Sequence, residues 1–223
     1  HKVGLPTFYG QAFLPDVCEL APEMLPYTKR YFEEFLKTGT IREVRPSELW
    51  YTSRTDFSPE ALGTELPAHK NTGFELLQGP AQFDGEILGG CIDSMYEMFS
   101  GWRYGDMPEV CRNYGLFPSM DDWLGKILLM ESCEEYMPPE TYKKALETLQ
   151  ETGVFDAVSG VLVGKPMDDM YHEEYKKLLV ETISNKELPI LCNINVGHAQ
   201  PRCILPFGVP AHVDADAQVI RFG

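Results

Sequence analysis

Glu131 and His198 are the two residues whose types and positions best fit chemistry. Glu131 closes the apolar run Ile127-Leu128-Leu129-Met130, and His198 follows Ile190 to Val196 through a single glycine, Gly197. A glutamate that accepts the Nδ1–H of a histidine fixes its tautomer and stabilises the imidazolium formed when the ring takes a proton. Such a pair is two-thirds of a hydrolytic triad. The nucleophile is missing: no Gly-x-Ser-x-Gly elbow occurs, Ser132 enters the turn after Glu131, and Ser100 sits in an irregular stretch. A second reading stays open, in which Glu131, Glu134 and Glu135 form a solvated acidic start to a helix. Metal chemistry finds less support. Cys192, His198 and Cys203 do not have a familiar zinc spacing, and His172-Glu173-Glu174 meets Lys176, not histidine, at the fourth position. Asp214 and Asp216 read as a turn, since the other ligands of a calcium loop are absent. The expectation is therefore no metal and no cofactor.

The elements that must position this pair read as β-α-β-α-β. Ile127 to Met130, Val158 to Val163 and Ile190 to Val196 are buried-type strands. Between them lie a helix opening at Pro138-Pro139-Glu140 and stopping at Gly153, and a helix capped by Asp168 or Asp169 that carries Tyr171, Tyr175, Leu178 and Leu179. Right-handed crossovers make the three strands parallel, and ligands of such sheets bind beyond the carboxyl ends. Glu131, Gly164-Lys165-Pro166 and Gly197-His198 are then delivered to one edge. Upstream, Met24, Tyr27, Tyr31 and Phe35 predict a helix over 22–37, ended by Gly39. Residues 40–90 predict short strands in long loops, and Gly89-Gly90 is expected to open a helix bearing Ile92, Met95, Tyr96 and Phe99. The aperiodic aromatics of 101–124 suggest a lid or binding loop. Residues 203–222 read as a terminal β segment turning near Asp214-Ala215-Asp216.

The 223 residues carry 19 Lys+Arg against 34 Asp+Glu, a formal charge of −15, which argues against nucleic acid and anionic membrane as main partners. No apolar run approaches the ~20 residues of a bilayer span. The N-terminal His1-Lys2-Val3-Gly4-Leu5-Pro6 lacks the apolar stretch of a secretion signal. Six cysteines, at 18, 91, 111, 133, 192 and 203, contain no Cys-x-x-Cys pair and read as scattered reduced thiols of a cytoplasmic protein.

Several motifs follow one another in order: Ile127-Leu-Leu-Met-Glu131, Gly160-Val-Leu-Val-Gly164-Lys165, Pro189-Ile-Leu-Cys-Asn-Ile-Asn-Val-Gly197-His198 and Leu205-Pro206-Phe207-Gly208. With Thr7-Phe8-Tyr9-Gly10 and Leu88-Gly89-Gly90-Cys91, they resemble the C-terminal two-thirds of the LD-carboxypeptidase / microcin C immunity family of serine peptidases. The resemblance implies an α/β fold with a swivelling β/β/α-type C-terminal domain over 41–223, and a linker and helix over 1–40. It also implies a Ser-Glu-His triad that uses Glu131 and His198. The family's serine lies in an N-terminal nucleophile domain, so here it is expected just upstream of His1, leaving this portion inactive. The long stretch before Glu131 is closer to the microcin-immunity branch, where aromatic side chains stack on a nucleotide. Trp50 and, less directly, Phe57 resemble those positions, although Trp50 is equally suited to packing under a β segment. Lys165 and Arg202 are candidates, from position, for holding a substrate carboxylate, and either also suits a surface charge. The expected partners are a murein L,D-peptide or a peptidyl-nucleotide antibiotic, and the resemblance suggests a homodimer. The alternative is a non-catalytic ligand-binding module that keeps the family fold.

Overall fold

A computed structural model describes residues 2–223. In chain order its first elements are β1 (Thr7–Tyr9), α1 (Pro26–Thr38), β2 (Glu43–Val44), β3 (Leu49–Tyr51), β4 (Ala68–Lys70), β5 (Glu75–Gln78) and β6 (Gln82–Cys91). Then come α2 (Ile92–Ser100), α3 (Met107–Tyr114), α4 (Met120–Trp123), β7 (Ile127–Glu131), α5 (Pro139–Glu151), α6 (Val154–Ala157) and β8 (Gly160–Gly164). The last are α7 (His172–Thr182), β9 (Ile190–Ile194), β10 (Leu205–Phe207), β11 (Pro210–Asp214) and β12 (Val219–Phe222).

Every residue of β7, β8 and β9 is buried, as expected of parallel strands covered on both faces. They are parallel, and β6 joins them as a fourth parallel strand beside β7. Antiparallel strands complete an eight-stranded sheet in the order β2-β12-β11-β6-β7-β8-β9-β5. The α/β class is thus as expected, with a larger and mixed sheet. Side chains alternate between two cores. Leu128 and Met130 pack with Tyr142, Leu146 and Leu149 of α5 and Tyr175 and Leu179 of α7. Ile127 and Leu129 face the other way, toward Tyr31 of α1, Ile41, Val44 and Leu205. The boundary expected after residue 40 therefore falls between two members of one core, Tyr31 and Ile41. β1 is also tied in, pairing antiparallel with β10.

Several expectations need correction. Gly89-Gly90 does not open a helix; it lies inside β6, with φ of 133° and 144°. A Cβ on Gly89 would stand 2.1 Å from the Leu129 carbonyl oxygen, so the glycine is there for strand-to-strand approach. Neither Asp168 nor Asp169 caps α7, whose N-cap is Tyr171 in a left-handed conformation. Asp169 instead binds Lys165 and His172, while Asp168 accepts from Ser53 N at 2.6 Å and Tyr136 Oη at 2.5 Å. The stretch 101–124 forms α3 and α4 rather than one long loop. Its Phe117 and Trp123 join Phe99 in an aromatic cluster, with centroids 5.0 and 5.7 Å apart along the chain of contacts. The helix expected from residue 22 starts at Pro26, whose fixed φ and missing N–H suit a first helical position. Among the described residues, no helix is long and apolar enough to cross a membrane.

Candidate active site

The carboxyl ends of β7 and β9 bring Glu131 and His198 together. Glu131 is the last residue of β7 and is 1% exposed. Its Oε2 lies 2.8 Å from His198 Nδ1, and its Oε1 accepts from the Tyr9 hydroxyl at 2.7 Å. With a carboxylate opposite, Nδ1 carries the proton. The turn leaving β9 must pass close: Gly197 has φ of 90°, and a Cβ there would stand 2.3 Å from Glu131 Oε2. Only glycine fits that turn without displacing the carboxylate. Gly164, at the end of β8, is similarly constrained, since its Cβ would meet Glu131 Cβ at 2.7 Å.

Electrostatics follow from these contacts. The Glu131 carboxylate holds the His198 imidazole above its ordinary range, against the opposing effect of burial, and Glu134 adds to the rise. Glu134 Oε2 lies 3.1 Å from His198 Nε2, a contact that favours the doubly protonated ring. Burial, then the Glu131 charge, pushes the Tyr9 phenol far up, so it remains a donor. Behind the imidazole, Arg202 donates from Nη2 to the His198 carbonyl at 2.7 Å and from Nη1 to Asp16 Oδ2 at 2.6 Å.

A cavity of about 750 Å³ opens in front of the pair. Leu14, Leu20, Phe57 and Met167 supply apolar wall, and Tyr9, Glu134, His198 and Arg202 are among its polar lining residues. This volume suits a small organic ligand. A more open concavity of about 560 Å³, lined by Asp84, Lys126 and His212, lies at the opposite ends of the strands. The strand-end rule selects the first as the site.

Of the six residues singled out by sequence, Phe57, His198 and Arg202 line the cavity, and Glu131 sits directly behind His198. Phe57 is 73% exposed. Trp50 and Lys165 do not line it. Trp50 stacks on His69 with centroids 4.1 Å apart, and Lys165 Nζ lies 4.9 Å from the Trp50 ring. The Lys165 side chain is buried and paired with Asp169. Sequence reasoning missed Tyr9, Asp16 and Glu134 as parts of the site. Tyr9 and Asp16 act across more than a hundred positions of chain, and no local spacing marks them.

The geometry can be set beside known proteins. The crystal structure of an MccF-like protein from Streptococcus pneumoniae in complex with AMP superposes with a TM-score of 0.98 at 57% identity, over 100% of this chain and 65% of that one. An MccF-like protein from Bacillus anthracis shares the fold, with a TM-score of 0.71 at 22% identity, over 98% of this chain and 61% of that one. The microcin C7 self-immunity protein MccF of Escherichia coli is 25% identical over 220 residues, 96% of this chain and 58% of MccF. The chain therefore spans between 58% and 65% of the length of these relatives. The family model described as the LD-carboxypeptidase C-terminal domain matches residues 84–213, from β6 to β11 and across both Glu131 and His198, and the chain belongs to that family.

Proposed function

We propose that Glu131 and His198 are the proton-handling half of a Ser-Glu-His triad in a serine carboxypeptidase or amidohydrolase. The observation that carries this reading is the buried Glu131 carboxylate, which bridges Tyr9 and His198 Nδ1 and leaves Nε2 beside Glu134 of the cavity lining. The serine is proposed to come from sequence outside residues 1–223. Its hydroxyl would take the place of Glu134 at Nε2, give its proton to His198, and attack the scissile carbonyl. His198 would return that proton to the leaving amine, and water would then release the acyl group by the same route. Glu131 orients the ring and stabilises its charged form; Arg202, bound to the His198 carbonyl, fixes the backbone that carries it.

The substrate proposed is a peptidyl-nucleotide of the microcin C type, in preference to a murein L,D-peptide. The support is the AMP complex of the S. pneumoniae protein, which is 57% identical across this whole chain. Phe57 on the cavity wall and Trp50, which stacks on His69, are the candidate stacking surfaces, and Lys165 and Arg202 the candidate cations, each now held by an acidic partner. A homodimer belongs to the same proposal.

The test is hydrolysis by a longer protein that contains this chain, assayed on an aminoacyl-sulfamoyl adenosine and on an L,D-tetrapeptide. Cleavage of the first is expected, with kcat falling about 10³-fold or more in His198→Ala, while residues 1–223 alone cleave neither. Cleavage of the tetrapeptide alone would move the substrate assignment to murein peptides. No cleavage of either, with retained AMP binding, would favour the non-catalytic binding module.

A further inference from the structure

Two thiols and a carboxylate meet on the far side of Glu131 from His198, and the mechanism above uses none of them. Cys91 ends β6 and is the ladder partner of Glu131; Cys133 lies two residues beyond Glu131; Asp93 is in the first turn of α2. One donor atom from each lies within 4.8 Å of the other two. Cys91 Sγ and Asp93 Oδ2 are 3.6 Å apart. Tetrahedral zinc, with Zn–S near 2.3 Å and Zn–O of 2.0–2.2 Å, requires neighbouring donors about 3.5–3.8 Å apart. The spacing already approaches that of a coordination shell.

Charge makes a second, independent argument. Asp93 is 3% exposed, and among the described residues no cationic side chain pairs with it. Its Oδ2 accepts the Cys133 N–H, at 3.1 Å, and the Cys91 thiol, neither of them a cation. A carboxylate so placed is costly unless a cation joins it. Arg103 does not supply that charge: its Nη2 points to Cys133 Sγ, at 3.8 Å, and it pairs with Glu135. A dication bound by two thiolates and one carboxylate would carry a net charge of −1. Arg103 is placed to offset that charge through an N–H···S contact in the outer shell. Cys91 is only half-buried, which leaves an approach for a small ion.

We propose that Cys91, Asp93 and Cys133 form a binding site for one soft divalent cation of the zinc class, with an exogenous ligand such as water completing the coordination. Binding replaces two S–H bonds with two metal–thiolate bonds and releases two protons to solvent, with no change of oxidation state. Because the site ties the end of β6 to the segment that leaves β7, occupancy also braces the strand that presents Glu131.

The experiment uses the 223-residue chain, reduced and freed of metal by chelator. Titration with Co²⁺ is expected to develop a thiolate-to-metal charge-transfer band that saturates at one equivalent and is displaced by Zn²⁺. Cys91→Ser, Cys133→Ser and Asp93→Asn should each weaken binding at least about tenfold, and Cys111→Ala should leave it unchanged. No band, or a band that survives both serine variants, overturns the proposal. A second measurement needs no variant. One equivalent of Zn²⁺ should slow maleimide alkylation of Cys91 about tenfold or more, while the exposed Cys18 reacts at its original rate; equal Cys91 rates with and without Zn²⁺ overturn the proposal as well.

Discussion

Glu131 accepts two hydrogen bonds from opposite sides, and glutamine cannot replace it in both. One oxygen serves Tyr9 and the other His198, whereas an amide keeps one acceptor and turns an N–H₂ toward the second donor. Glu131→Gln is expected to cost about 1–3 kcal/mol in urea unfolding, because a buried donor loses its partner. The same change should lower the pKa of His198 toward the ordinary imidazole value, read by NMR titration of the ring. Glu134→Gln should lower it less, since Glu134 contributes charge alone and is far more exposed. The folded-state pKa of His198 is raised, so its pairing stabilises fully below the unfolded value, about 6.5, and fades as pH rises through the folded value. Unfolding free energy of wild type relative to Glu131→Gln should therefore narrow on the alkaline side. A His198 resonance that titrates identically in wild type and Glu131→Gln would contradict this account.

At the scale of elements, backbone proximity in the sheet is what sets the site. The Gly89 position in β6 lies against the Leu129 carbonyl of β7, and Gly197 after β9 lies against the Glu131 carboxylate. Both glycines hold positive φ, so an added Cβ meets steric and conformational penalties together. Gly89→Ala is expected to destabilise the fold by about 3 kcal/mol or more, since the obstacle is backbone of a central strand. Gly197→Ala has a different expected signature. Its obstacle is the end of a side chain, so the fold should persist while Glu131 is pushed off His198. The raised pKa of His198 should then be lost with a smaller drop in melting temperature. Thermal denaturation and ring NMR on the two variants separate these outcomes; an unshifted His198 in Gly197→Ala would remove the glycine from the site.

Across the whole molecule, the N-terminal segment and the last third of the chain close on each other at the cavity. Tyr9 reaches Glu131, Asp16 holds Arg202, and the Gln200 amide donates to the Pro15 carbonyl at 2.9 Å. The Asp16–Arg202 pair is almost fully buried, with side chains 1% and 8% exposed. Breaking such a pair from one side leaves a charge without compensation, so Asp16→Asn is expected to cost about 3–5 kcal/mol. A double change, Asp16→Leu with Arg202→Met, should recover much of that stability, because it removes both charges at once. Equal stability of Asp16→Asn and wild type in urea would show that the pair does not hold the segment.

The β-α-β-α-β core was legible in the residues alone because continuous apolar runs, helical periodicity and glycine or proline stops are local signals. The placement of Glu131 and His198 at the strand ends was legible for the same reason, as polar residues that follow continuous apolar runs. Gly89-Gly90 was misread because a glycine pair before an apolar stripe looks alike whether it begins a helix or lies in a strand; Leu129, forty residues away, decides between them. The aromatics of 101–124 were misread because burial of Phe117 and Trp123 depends on Phe99 and the core behind it. Sequence by itself determined which side chains β7, β8 and β9 deliver to the carboxyl edge of the sheet. Tertiary structure alone decided what meets them there: the Tyr9 hydroxyl, the Asp16–Arg202 pair, and the cluster of Cys91, Asp93 and Cys133. Those partners lie on segments remote in the chain, and folding brings them together through packing that no local pattern of residues encodes.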